Sequence, residues 1–204
     1  MPNRSWNASA TRVLISDSVL LRSATAHSLA PAAARTEAPP PPPDRWKGFA
    51  APGSPVAAGF DAIASVDPSF APDSFLSGAR TAYEMIVGAF AAGDLSTLRR
   101  LLAPEVLANF DKAIRDRVAA EQTMSTTLVS IDAATVVEAR LTGAIASVAV
   151  RFAAKLASVT RDKSGAAVEG SPNDVVDHLD VWTFTRDVAA GDPNWLLAAT
   201  QTVN

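Results

Sequence analysis

The sequence predicts an α+β domain, helices first and about four long antiparallel strands after them, packed so that an apolar pocket forms between the layers. Three observations predict it. Up to Glu121 apolar residues recur at helical spacing, and beyond it the period drops to two. Near the end, Leu179-Asp-Val-Trp-Thr-Phe-Thr-Arg186 and Leu196-Leu-Ala-Ala-Thr200 flank the turn Gly191-Asp-Pro-Asn194, a hairpin carrying Trp182, Phe184 and Trp195. Before Pro72, frequent Pro and Gly break any periodicity.

Residues 1–38 read as a tail, rich in Ala, Ser and Arg and poor in acids, the composition of either an unstructured extension or an organelle transit peptide. Val13-Leu14-Ile15 and Val19-Leu20-Leu21 fall far short of the ~20 apolar residues of a membrane span. Residues 39–71 read as a linker that opens on the polyproline run Pro39–Pro43, with Trp46 and Phe49 isolated within it. The domain is expected over 72–204, about 130 residues and ample for one core.

Asp73 is the expected N-cap of a first helix with the apolar positions Phe75, Ala79, Ala82, Ile86 and Phe90. Its small residues, Gly78, Ala79 and Ala82 among them, would let a neighbour pack very close. Gly93-Asp94 ends it and caps a second helix, whose apolar face is Leu95, Leu98, Leu101 and Leu102. Pro104 opens a third with an inner stripe of Val106 or Leu107, Phe110, Ile114 and Val118. Asp111, Lys112, Arg115, Asp116 and Arg117 make its outer surface. Strands follow over 127–131 and 136–141 (readable as one bent strand), then through Ala146, Val148, Val150 and Phe152 toward Thr160. Arg161–Gly165 is a turn and Glu169–Asn173 a loop. In the final hairpin Trp182, Phe184 and Arg186 share a face, and His178 and Asp180 extend it.

The net charge of −3 and pI near 5.4 argue against a nucleic-acid partner. Without cysteine there is no disulfide, thiol nucleophile or Cys-bound zinc, and two histidines, His27 and His178, exclude a multi-histidine metal site. No P-loop, nucleophile elbow or dinucleotide fingerprint is present. His178 with Asp180 could form an acid–base pair, against the plainer reading of an exposed strand-end histidine. Asp177, His178 and Asp180 could hold a metal only loosely. Tyr83 could reach into a helix–sheet pocket, against the plainer reading of a core tyrosine with a satisfied hydroxyl, and Arg151 is expected to be an outward charge rather than an anion clamp. No catalytic set, metal or cofactor is assigned. The pocket is expected to be lined by Tyr83, Ile86, Phe90, Val148, Val150, Trp182, Phe184 and Trp195. Arg99, Arg100, Lys112, Arg115 and Arg117 are the candidates for an anionic membrane surface.

Phe75–Phe90 with Gly93–Leu102, then Val159-Thr-Arg-Asp162, Val168-Glu-Gly170, Asp180-Val-Trp-Thr-Phe184 with Arg186, and Asp192-Pro-Asn-Trp195, resemble the Tim44-like domain family in the expected order. The resemblance implies a cone of the nuclear-transport-factor-two type with a deep apolar pocket. It also implies a non-enzymatic scaffold at a bacterial inner membrane, peripheral and cytoplasmic-facing, with anionic, cardiolipin-type lipid or proteins as partners and a link to protein translocation or membrane protein assembly. Arg35–Asp44 resembles the Pro-rich linker of bacterial members, without the apolar anchor that precedes it there; either this member is soluble or its start is misassigned. A small-molecule enzyme of the isomerase or dehydratase type, testable at Asp180 and His178, and a ribosome-associated protein stay open as alternatives.

Overall fold

The computed structural model describes residues 44–203. Four helices, α1 (Pro55–Val66), α2 (Pro72–Ala92), α3 (Leu95–Leu101) and α4 (Pro104–Ala119), precede four strands, β1 (Thr123–Thr142), β2 (Ile145–Arg161), β3 (Ala167–Asp187) and β4 (Leu196–Thr202). The strands form an antiparallel meander in chain order, β1-β2-β3-β4. This is the expected α+β architecture, helices first and an antiparallel sheet after them.

Part of the expected linker belongs to the fold. Residues 55–66 form α1, because Pro55 sits at the first helical position, where a missing N–H costs nothing. The Ser54 side chain caps it, accepting from Ala57 N at 3.2 Å. Ala57, Phe60, Ile63 and Ala64 are then buried. Gly59 is needed for contact rather than for a turn: a Cβ there would lie 2.0 Å from the Ala139 carbonyl oxygen of β1. Trp46 and Phe70, outside the helix, close over Phe60 at 5.3 and 5.5 Å between ring centres. The tail and the polyproline run lie outside the described residues.

α2 begins at Pro72, with Ala71 at the N-cap and Asp73 in the first turn, so Asp73 favours the helix through the macrodipole instead of capping it. Gly93 ends the helix in the left-handed region, φ 71°, and Asp94 caps α3 by accepting from Thr97 N at 3.1 Å. In α4, Val106 and Ile114 are buried, but Val118 is 66% exposed; the inner stripe stops one turn early.

β1 is one strand bent by three register shifts against β2. The loop expected at Glu169–Asn173 is instead a bulge within β3: Val159 pairs with Gly170 and Ala157 with Val175. Gly170 holds φ 69°, and a Cβ would meet the Ser158 carbonyl oxygen at 2.2 Å. Turn-type residues therefore interrupt the strand without ending it. On the covered face, His178, Asp180, Trp182 and Phe184 are all buried, as alternation predicts. The opposite face is polar, with Lys155 of β2 bridging Asp132 of β1 and Asp177 of β3.

Candidate functional site

The helix–sheet interface is mostly solid. Tyr83, Ile86, Phe90, Val148, Val150 and Trp182, expected to line the pocket, are buried in the core and fill the concavity. Tyr83 lies 4.7 Å from the Phe152 ring and 4.5 Å from Trp182. Only Phe184 and Trp195 of the expected set line the open cleft. That cleft, about 480 Å³, lies further toward the N-terminal part of α2, bounded by the 69–71 segment, α2, Leu101, the end of β3 and Pro193–Trp195.

Its floor is aromatic. Phe75 meets Trp195 edge-on at 4.8 Å and Phe184 at 6.0 Å, and Phe70 lies 6.2 Å from Trp195. One wall is the side of α2 where Gly78 and Ala82 keep the backbone accessible and Met85 remains 42% exposed. Ser69, Ser74, Ser77 and Thr81 add hydroxyls. The single charged lining residue, Arg186, pairs with Asp67 and stacks 5.1 Å over Trp195. Bonds from Ser69, above all, and then from Arg186 hold Asp67 below the usual carboxylate range. The cleft is thus apolar with its one cation internally neutralised, and the buried Arg186 Nε donates to no acceptor among the described residues.

The polar residues singled out for chemistry gather elsewhere. Asp180 accepts from Tyr83 Oη at 3.2 Å and from Thr202 Oγ1 at 3.0 Å. His178, expected at an exposed strand end, is 5% exposed, because the bulged β3 carries it under the helices. Burial raises Asp180 above an ordinary carboxyl and, with the Asp180 charge, raises Tyr83; burial lowers His178 against the pull of Asp180 and Asp177. None of Tyr83, His178 and Asp180 lines the cleft. Asp177 points to the opposite face and pairs with Lys155, so the loose metal trio is not assembled.

His178 sets a testable pH dependence. Its folded pKa is depressed, so its contribution to stability is complete above an ordinary histidine value of about 6.5 and is lost as pH falls through its folded value. Asp180, with a raised pKa, acts oppositely: its contribution is lost as pH rises through its folded value. In urea melts from pH 7.5 down to 5.5 His178 should pull stability down, so His178→Gln should keep more of its pH 7.5 stability at pH 5.5 than the wild type does. An unchanged slope in the variant would assign the titration to another group.

The basic set is largely committed. Arg115 pairs with Asp111, and Lys112 with Asp116 at 2.6 Å. Arg117, expected outward, folds back: its guanidinium donates to the carbonyl oxygens of Phe90 and Ala91 at 2.8 and 3.0 Å and covers the Phe90 ring. It closes the C-terminal end of α2. Arg99 and Arg100 are exposed on α3, and Arg151 faces solvent as expected.

Fold and cleft together define an α+β domain with an apolar groove open on its surface. The chain belongs to the Tim44-like family, whose Tim44-like domain model matches residues 56–202, a span that begins inside α1. This is a family of membrane-associated, non-enzymatic scaffolds. Among solved structures the chain is similar to the intermembrane space region of the chloroplast protein ARC6, at 11% identity and a TM-score of 0.45, over 63% of this chain and 95% of that one. No curated protein matches it. Among the described residues, no helix is long and apolar enough to cross a membrane.

Proposed function

We propose that the protein is a non-enzymatic scaffold at a membrane, whose cleft holds an apolar segment of lipid or of a partner protein. The observation that carries this is the open cleft of about 480 Å³ with an aromatic floor, exposed Met85 and a neutralised Arg186. Such a lining rewards apolar contact and offers no free charge to a polar substrate. A link to protein translocation or membrane protein assembly, at a bacterial inner membrane, is the setting the family suggests.

Gly78 supplies the test. A Cβ there meets nothing within 4 Å, so the side chain of Gly78→Leu starts in open space at the cleft wall and takes up cleft volume. It also exchanges a poor helix former for a good one, by about 1 kcal/mol. In co-sedimentation of the full chain with phosphatidylcholine vesicles, with and without cardiolipin, Gly78→Leu should weaken binding about tenfold. Its melting temperature should hold or rise. Binding should also change little between low and moderate salt, since Lys112 and Arg115 are paired. Strongly salt-sensitive binding that ignores Gly78→Leu would move the contact to Arg99 and Arg100 and overturn the cleft reading.

A further inference from the structure

We infer that the cleft is a docking site for the chain's own N-terminal segment Val13–Leu21, which competes there with outside ligands. The inference rests on the cleft being a binding groove, as proposed above, and adds how access to it is controlled.

The point where the described chain begins is the first observation. Trp46 is buried, with its Nε1 donating to Asp61 at 2.9 Å and Arg45 stacked 4.4 Å over its ring. It packs 6.5 Å from Phe70, itself a wall of the cleft. The described chain therefore begins one ring away from the groove.

Reach is the second. Residues 22–43 separate the segment from that tether and include Pro39–Pro43. Fully extended at about 3.1 Å per residue they span roughly 70 Å, and as a coil about 25 Å. A tether of that size gives an effective concentration on the order of millimolar, which suffices for a weak apolar contact.

Chemistry is the third. The segment gathers Val13, Leu14, Ile15, Val19, Leu20 and Leu21 around Ser16-Asp17-Ser18; elsewhere before Asp44 only Leu29 is a Val, Leu or Ile. Aliphatic triplets suit the Phe75, Phe184 and Trp195 floor, and the hydroxyls of Ser74, Ser77 and Thr81 can meet peptide groups. The segment's one charge, Asp17, sits between the two triplets, and the cleft's one cation, Arg186, already has Asp67.

The test uses the full chain, which has no cysteine and three methionines, Met1, Met85 and Met124. A nitroxide on Ser16→Cys should bleach most of the methyl NMR signal of Met85, which lines the cleft. Leu14→Ser/Leu20→Ser added to the labelled chain should restore it, and without the label should shift the Met85 resonance but not that of Met124. Bleaching that survives Leu14→Ser/Leu20→Ser, or no bleaching at all, overturns the inference. Bleaching seen only between mixed labelled and unlabelled chains overturns it in favour of a second copy. Dodecyl maltoside below its micellar concentration separates the two readings. If it shifts Met85 while the tail does not, only self-docking falls; if neither moves Met85, the cleft reading falls as well.

Discussion

Phe60→Ala should lower the unfolding free energy by about 3–5 kcal/mol, the range for removing a fully buried aromatic ring. Phe60 has no exposed surface and sits between Trp46 and Phe70. The cavity cannot collapse easily, because Gly59 beside it already brings α1 against the backbone of β1. Gly59→Ala is the companion variant: its added methyl must push α1 off Ala139, at a cost of about 1–3 kcal/mol. Denaturant melts check both. Melts that match the wild type in both variants would make residues 55–66 a dispensable appendage, contrary to their place in the core.

Trp182→Ala should cost a similar 3–5 kcal/mol, for a different reason. Trp182 is the central member of an aromatic layer, 4.5 Å from Tyr83, 5.9 Å from Phe152 and 6.4 Å from Phe184. Removing it also frees the Tyr83 ring, whose hydroxyl is one of two donors to the buried Asp180. Part of the loss should therefore be non-additive with Tyr83→Phe, a coupling that a double-mutant cycle in urea would measure. A loss under about 1 kcal/mol for Trp182→Ala would mean that the core lies elsewhere.

The elements easiest to read in the sequence are those whose ends carry backbone chemistry. Pro72, Gly93, Asp94 and Pro104 bound three helices closely, because each residue does there what its own φ or side chain dictates. The face shared by His178, Asp180, Trp182 and Phe184 followed from alternation alone. α1 was masked by the same residue types that usually mean a linker: Pro55 serves as a helix start and Gly59 as a contact point. The Gly170–Asp174 bulge misleads in the same way.

The cleft was less legible than the fold. Periodicity identifies which residues of α2 and β3 face inward, but whether they fill a concavity or line it depends on the distance between the layers. Here Tyr83 stacks directly on Phe152 and Trp182, so the inward face is filled. The opening formed instead where Gly78 and Ala82 thin the outer side of α2, and Met85 left exposed beside such small residues was the available signal. Arg117 shows the limit of face arguments for long side chains, which reach from one helix to the terminal carbonyls of another.

The place of β4 has a consequence for how the chain comes together. The β1-β2-β3 meander needs only partners adjacent in sequence and so closes through short loops. The junction between α3 and α4 does not: Leu102 bridges Leu197, and Ala103 N donates to the Leu197 carbonyl oxygen at 2.9 Å. Asp180 likewise acquires its second donor only from Thr202. On the ribosome the helices and three strands can be made and partly arranged while that seam stays open. Residues 197–202 must emerge before it can close, so a chain stalled short of them has every helix of the domain but no complete groove, since the wall carrying Trp195 is still unsecured.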